Sequence, residues 1–243
     1  MENRQKLIQW LKESRRVVFF GGAGVSTESG IPDFRSVDGL YNQKYKYPPE
    51  TILSDTFFAR MPDEFFRFYR DKILVSGVQP NAAHLKLAEW EKMGKLSAVV
   101  TQNIDGLHQL AGSKKVYELH GSVARNHCVR CHKAYSLEEV KNAPLVPCCS
   151  CGGIIKPDVV LYGEPLDNDV VMGAVEAISE ADLLIVGGTS LNVYPAAGLL
   201  DYYRGGRLVL INKSVTPRDD IADLIFREPI GQLLGGIQKE EIE

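Results

Sequence analysis

Four consecutive apolar residues, Val17 to Phe20, run straight into Gly21-Gly22-Ala23-Gly24 and then into a Ser/Thr/Glu cluster, within the stretch VVFFGGAGVSTESGIPDFR. An apolar run punctuated by glycine predicts a buried strand, a tight turn and a helix start. Gly22 and Gly24 remove Cβ atoms where backbone must approach a ligand, and the amides that open a following helix favour a pyrophosphate. A dinucleotide is the natural guest. The plainer reading is an ordinary strand-to-helix turn, since a GxG pattern alone is a weak signal.

The departures from the dinucleotide fingerprint carry more information than the match. Thr27 replaces the third glycine or alanine, and where an acidic ribose ligand is expected about 20 positions on, the chain has Asn42, Gln43, Lys44 and Tyr45. No second strand follows promptly, because Ile31 to Glu50 carries three prolines and several aromatic rings without alternation. So long a loop in a compact domain is functional or disordered, and its aromatic content favours a lid.

The 243 residues can bury one large core with room for a smaller module, and the net charge of −3 argues against sequence-independent binding to nucleic acid or anionic membrane. No apolar run approaches the roughly 18 residues of a membrane span, and MENRQKLIQWLKESRR has an amphipathic helical pattern instead of that of a signal peptide, so the expected location is the cytoplasm. Leu7, Ile8 and Leu11, with Trp10, form the packing face of that helix.

Further along, apolar strands deliver polar groups to their C-terminal ends. Ser97 to Thr101 is followed by Gln102, Asn103 and Asp105, and a helix-cap role explains Asn103 or Asp105 but not all three. Val116 to Leu119 is followed by His120, a candidate general base because imidazole titrates near pH 6.5; a hydrogen-bonded core histidine is the plainer alternative. Asp182 to Val186 leads to Gly187-Gly188-Thr189-Ser190, and Arg207 to Ile211 leads to Asn212. Open α/β sheets gather ligands at such strand ends. Five of them imply one crevice, in an α/β fold with a Rossmann-like, mostly parallel sheet and helices on both faces.

All five cysteines lie between positions 128 and 151. Cys128-Val-Arg-Cys131, a spacer of sixteen residues and Cys148-Cys-Ser-Cys151 match the paired-knuckle spacing for one tetrahedral Zn²⁺. Four thiolates fill the coordination sphere, so the metal is structural. Cys149 is the spare thiol, because a Cys149/Cys151 pair would leave one residue between ligands. A nucleic-acid-binding zinc ribbon is the rival reading, with only a modest basic flank in Arg125, Arg130, His132 and Lys133. Ile154 to Glu164 is extended, Pro157 limits it to an edge or strand-start position, and an exposed edge here could accept a peptide by strand addition.

Taken in order, GAGVSTESGIPDFRS (22–36), TQNIDGLH (101–108), ELHG (118–121), both cysteine pairs, KPDVVLYGE (156–164), GTSLNVYPAA (188–197) and the Ile211-Asn212 pair resemble the sirtuins, NAD-dependent protein lysine deacylases, over nearly the whole chain and in a bacterial form. The resemblance implies an NAD-binding domain of residues 1–40, 76–121 and 154–243. It implies a small domain made of a helical insertion, 41–75, and a zinc-binding insertion, 122–153. NAD⁺ would be a consumed co-substrate, contacted by Gly22, Ala23, Gly24, Thr27, Phe34 and Arg35, by Gln102, Asn103, Ile104, Asp105 and His120, by Gly188, Thr189, Ser190 and Asn212, and by Ile230 at the adenine end. Asn103 and His120 would be catalytic.

Val160, Leu161, Gly163 and Glu164 would pair with an acyl-lysine peptide. The implied chemistry is attack of the acyl oxygen on the anomeric carbon as nicotinamide leaves, with His120 accepting a proton from the ribose hydroxyls; the products are deacylated lysine, nicotinamide and 2′-O-acyl-ADP-ribose. Mono-ADP-ribosyl transfer is the alternative that shares the first step. Three departures stand out. Tyr162 replaces a usual phenylalanine, adding a hydroxyl that needs a partner; Asn192 replaces an apolar residue; and Phe66 and Tyr69 stand where desuccinylating members carry Tyr and Arg. An acyl carboxylate would lack its cation there, so acetyl or other apolar acyl groups are expected over succinyl. A monomer without nucleic-acid or membrane partners completes the expectation.

Overall fold

The computed structural model describes residues 2–36 and 39–243. Val37 and Asp38, within the expected lid, lie outside the described residues. Helix α1 (Glu2–Glu13) precedes strand β1 (Val17–Gly21), and irregular chain follows to α2 (Pro49–Ile52), α3 (Asp55–Arg60) and α4 (Pro62–Phe68). Next come α5 (Ala82–Lys92), β2 (Leu96–Thr101), α6 (Leu107–Ala111), β3 (Val116–Glu118), β4 (Gly121–Cys128), β5 (Ala134–Ser136) and α7 (Leu137–Asn142). The chain closes with β6 (Ile155–Val159), α8 (Asn168–Glu180), β7 (Leu183–Gly187), β8 (Leu208–Ile211), β9 (Leu224–Phe226) and α9 (Ile230–Gly235).

Six strands form one sheet in the order β3-β2-β1-β7-β8-β9, every neighbouring pair parallel. Parallel strands buried on both faces need no alternation of polar and apolar residues, which is why Val17 to Phe20 is an unbroken apolar run. Val17 and Phe19 pack with Leu7 and Leu11 of α1, Leu87 and Trp90 of α5, and Leu233 and Leu234 of α9. Val18 and Phe20 pack on the other side with Ala174 and Ile178 of α8 and with Leu199 and Leu200. The chain leaves β1 toward β2 and β3, then returns to β7 on the opposite side, so the switch point lies between β1 and β7. Loops leave these two strand ends in opposite directions and open a crevice between them.

A second sheet, β5-β4-β6, is antiparallel. Pro157 sits in edge strand β6, where its missing N–H costs no ladder bond. Although β6 follows the expected boundary at 153/154, it pairs in this small sheet. Beside it lies an aromatic cluster from the helical insertion, Phe57, Phe58, Phe65, Phe66, Phe68 and Tyr69, which closes on Val159 and Leu161. Arg70 joins the two insertions: its guanidinium donates to the carbonyls of Val140, Lys141, Ala143, Pro144 and Leu145 at 2.8 to 3.3 Å, satisfying the C-terminal end of α7. No described helix is long and apolar enough to cross a membrane.

The glycine turn departs from expectation. Instead of an α-helix after Gly24, two single 3₁₀ turns form, Ala23–Val25 and Thr27–Ser29, ending at Gly30 with φ +88°. The Thr27 hydroxyl donates to the Gly24 carbonyl at 3.0 Å, and left-handed Gly30 with Pro32 beyond it stops propagation.

Candidate active site

All six parallel strands point their C-terminal ends to one edge, and the polar groups read from the sequence meet there. Gly24 donates its N–H to the Gly188 carbonyl at 2.7 Å, and a Cβ on Gly24 would stand 2.8 Å from Gly188 Cα. The glycine therefore lets the two strand-end loops touch at the crevice floor, a packing role alongside any ligand role.

A hydrogen-bond chain then crosses from loop to loop. Asn103, 8 % exposed, donates from Nδ2 to Ser26 Oγ at 3.1 Å, and Ser26 donates to Asp105 Oδ2 at 2.6 Å. The other Asp105 oxygen accepts from the Leu107 amide at 2.9 Å, so Asp105 also closes an Asx turn that leads into α6. Gln102 Nε2 donates to Thr189 Oγ1 at 2.9 Å, linking the β2 and β7 ends. The Asn103 amide donates to Thr101 Oγ1 at 3.0 Å. Every member of this network is pre-positioned by a neighbour, which spares ordering entropy when a ligand arrives.

His120 follows β3, with Gly121 (φ +73°) turning the chain into β4. Its Nδ1 lies 3.0 Å from the Gln102 carbonyl. A carbonyl can only accept, so Nδ1 carries the proton and Nε2 presents a lone pair. Burial lowers the imidazole pKa below its ordinary value, against a smaller opposing effect of the Gln102 carbonyl. The ring is therefore neutral at pH 7 and fit to accept a proton. The His120 carbonyl in turn accepts from Val160 N–H at 3.0 Å, tying the base to the segment after β6.

In that segment Glu164 accepts from Leu161 N–H at 2.8 Å and from Lys156 Nζ at 3.0 Å, so its carboxylate holds the turn. Lys156, 8 % exposed, also donates to the Val159 carbonyl at 2.9 Å. Among the described residues the Val160 carbonyl and the Gly163 N–H have no partner, leaving an acceptor and a donor free for an added strand.

Other expected residues are distributed unevenly. Ala23, Thr27, Ile104 and Ser190 lie on the same loops, and Phe34 and Arg35 stand on the segment beyond the 3₁₀ turns, where Arg35 pairs with exposed Glu50 at 3.6 Å. Asn212 ends β8, its Nδ2 donating to the Ser214 carbonyl at 2.9 Å. Ile230 is core, 4 % exposed and packed under Gly187. Phe66 and Tyr69 are fully buried, and the Tyr69 hydroxyl has no partner among the described residues. Ser26 and Lys156 were not among the expected site residues. A serine in a Ser/Thr/Glu turn looks solvated, and a lysine before proline looks exposed.

The cysteine cluster corrects one expected ligand. The sulfurs of Cys128, Cys131, Cys149 and Cys151 lie within 4.8 Å of one another, with Cys128–Cys151 at 3.4 Å and Cys131–Cys149 at 3.6 Å. A tetrahedral Zn²⁺ with Zn–S of about 2.3 Å spaces its sulfurs about 3.8 Å apart, so these four fit a structural ion. Cys148, expected as a ligand, is left out. It bridges Ile154 in an extended pair, and Cys149 closes the following turn through its N–H to the Gly153 carbonyl at 2.8 Å. Successive side chains of extended backbone point to opposite sides, so when Cys149 faces inward against Val140 and Tyr135, Cys148 faces solvent.

Similarity to known proteins agrees with this geometry. The sequence profile of the Sir2 family matches residues 22–195. An NAD-dependent protein deacetylase of Clostridium perfringens is 59 % identical over 236 residues, 96 % of this chain and 97 % of that one. A solved Sir2 complex with a deacetylated p53 peptide and 3′-O-acetyl ADP ribose superposes with a TM-score of 0.89 at 43 % identity, covering 95 % of each chain. A Sir2 complex with p53 peptide and NAD⁺ gives 0.86 at 42 % identity, covering 97 % of each. A crevice at the switch point of a parallel sheet, a neutral histidine at its edge and a four-cysteine module define a nucleotide-dependent enzyme with a metal-stapled small domain. The chain belongs to the Sir2 family.

Proposed function

We propose that this chain is an NAD⁺-dependent protein lysine deacetylase, and that the expected domain division and site residues apply, with the small domain extended through β6 and Cys149 in place of Cys148. The observation that carries the reading is the His120 ring at the end of β3, whose Nδ1 is held by the Gln102 carbonyl at 3.0 Å, so that the lone pair is left on Nε2. Gln102, Asn103 and Asp105, braced by Ser26 and Thr189, would orient the nicotinamide ribose, and the Gly22–Thr27, Gly188–Ser190 and Asn212 loops the diphosphate and adenosine. Val160 and Gly163 would take the acyl-lysine peptide as an added strand, bringing the acyl group between His120 and the aromatic cluster.

With NAD⁺ and water as co-substrates, the C1′–nicotinamide bond breaks as the acyl oxygen bonds to C1′. His120 Nε2 accepts a ribose hydroxyl proton so that the 2′-oxygen can attack the acyl carbon, the lysine amine leaves with a proton, and water adds to that carbon, supplying the carbonyl oxygen of 2′-O-acyl-ADP-ribose while the original acyl oxygen stays on C1′ as its hydroxyl. The zinc module serves only to hold β4, β5 and β6 in place. Acetyl is expected over succinyl, because Phe66 and Tyr69 supply no charge and the neighbouring Arg70 is engaged by five carbonyls. Four thiolates require reduced cysteines, which fits a reducing cytoplasm, and we expect a monomer by sedimentation.

The test is mass spectrometry of an acetyl-lysine peptide with the protein, with and without NAD⁺, beside His120→Ala. NAD⁺-dependent loss of acetyl with formation of acetyl-ADP-ribose, absent in the variant, supports the reading; NAD⁺ cleavage with the peptide still acetylated refutes it in favour of ADP-ribosyl transfer. Faster removal of succinyl than acetyl from one peptide overturns the acyl preference.

A further inference from the structure

Two tyrosines with no role so far meet across the rim of the crevice. Tyr162 lies in the segment that presents Val160 and Gly163, and its backbone is fixed to the helical insertion: its N–H donates to the Leu53 carbonyl at 2.9 Å and its carbonyl accepts from Asp55 N–H at 3.0 Å. Its ring is 40 % exposed, and its hydroxyl stands 2.7 Å from that of Tyr41.

Tyr41 belongs to the chain that follows Phe34 and Arg35. That chain folds back on itself, with Leu40 N–H to the Asp33 carbonyl and Tyr41 N–H to the Phe34 carbonyl, both at 2.9 Å. The Tyr41 ring packs edge-on against Phe34 at 5.5 Å between centroids, and the Arg35 guanidinium lies 5.1 Å from its centre. One face of this contact therefore belongs to the proposed peptide strand and the other to two proposed NAD⁺ contacts. Burial of Tyr41, followed by its bond to Tyr162, raises its pKa, so the phenol stays protonated and able to share this bond across the physiological range.

We infer that the Tyr41–Tyr162 hydroxyl pair is a positioning link that sets the geometry of Phe34 and Arg35 from the peptide-binding segment. This rests on the deacetylase reading for its kinetic consequence only. Phenylalanine at position 162 would keep the ring and remove only the bond. Without it the Phe34–Arg35 segment is held only by its own turn and the exposed Arg35–Glu50 pair, a weak tether, and NAD⁺ must order it on binding.

The experiment compares wild type, Tyr162→Phe, Tyr41→Phe and the double variant in two ways. Amide hydrogen exchange in segments 31–36 and 39–45 is followed without ligands, and kcat and KM for NAD⁺ are measured at saturating acetyl-lysine peptide. One hydrogen bond of ordinary net strength corresponds to about a two- to tenfold effect. Each single variant should exchange faster in both segments and show KM for NAD⁺ raised by that factor with kcat within about twofold, and the double should be no worse than either single. Unchanged exchange and KM in Tyr162→Phe, or effects of the singles that multiply in the double, overturn the link. A wild type that turns over no NAD⁺ refutes the deacetylase reading and leaves the exchange measurement to decide the link.

Discussion

Replacing Gly121 by alanine probes the joint between the base and the peptide segment. Gly121 has φ +73°, and a Cβ there would stand 1.8 Å from the Asp158 carbonyl oxygen and 2.9 Å from its carbon. Gly94 is the matched control, with φ +76° but nothing within 4 Å of its Cβ position. Both variants incur the left-handed backbone strain of about 1–2 kcal/mol. Only Gly121→Ala adds an overlap with backbone, which no side-chain rotation relieves; forcing β4 from β6 costs about 1–3 kcal/mol more. At about 2–4 °C per kcal/mol for a chain of this size, Gly94→Ala should lose about 2–8 °C of melting temperature and Gly121→Ala about 4–20 °C. Differential scanning calorimetry of the zinc-loaded proteins reads the difference. Because the His120 carbonyl accepts from Val160 N–H beside this joint, kcat/KM for the peptide should fall more than affinity for NAD⁺. Melting temperatures within about 2 °C of each other would refute the reasoning, since strain alone would then account for both.

The cysteine geometry predicts that Cys148→Ser keeps one equivalent of zinc by elemental analysis while Cys149→Ser loses it; the reverse pattern would restore the regular knuckle spacing. Buried His84 and His108 lie 4.7 Å apart between ring centroids with their planes tilted by 60°, and burial lowers their pKa values to about 4 and about 3. Both must be neutral in the fold, so their stability contribution is intact above pH 6.5, declines as pH falls below it and is gone at the folded values. Urea unfolding at pH 5 should therefore show a loss of about 2 kcal/mol per histidine relative to pH 7.5, and His108→Leu should flatten that slope. Arg70→Ala should cost about 2 kcal/mol and speed zinc loss to a chelator, with Arg70→Lys recovering less than half, because an ammonium cannot span five carbonyls.

The large sheet was legible because burial on both faces leaves an unmistakable apolar run, as at Val17 to Phe20 and Leu183 to Val186, and because each run ended in a glycine or a polar group. His120 and the Gln102–Asp105 cluster were found by the same sign. What failed to show were features decided by a single turn. Cys149 outcompetes Cys148 through a bond to Gly153, and the α-helix expected after Gly24 gives way to 3₁₀ turns because side chains compete for its carbonyls. Ser26 was invisible because nothing local distinguishes a serine that bridges Asn103 to Asp105 from one in solvent. The hydroxyl of Tyr162 announced a need for a partner, but Tyr41 is supplied by a fold-back that the aromatic loop does not spell out.

The central place of β1 also has a consequence for how the chain is made. This strand, buried along its whole length, leaves the ribosome well before its neighbours, which begin only at Leu96 and Leu183. At roughly 5–20 residues per second, its second flank stays bare for about ten to thirty seconds of synthesis, while the thiolate module, complete once β6 ends at Val159, can already have closed. In that interval the newborn chain carries an uncovered, aggregation-prone strand ahead of a mid-chain module that can close on its own thiolates.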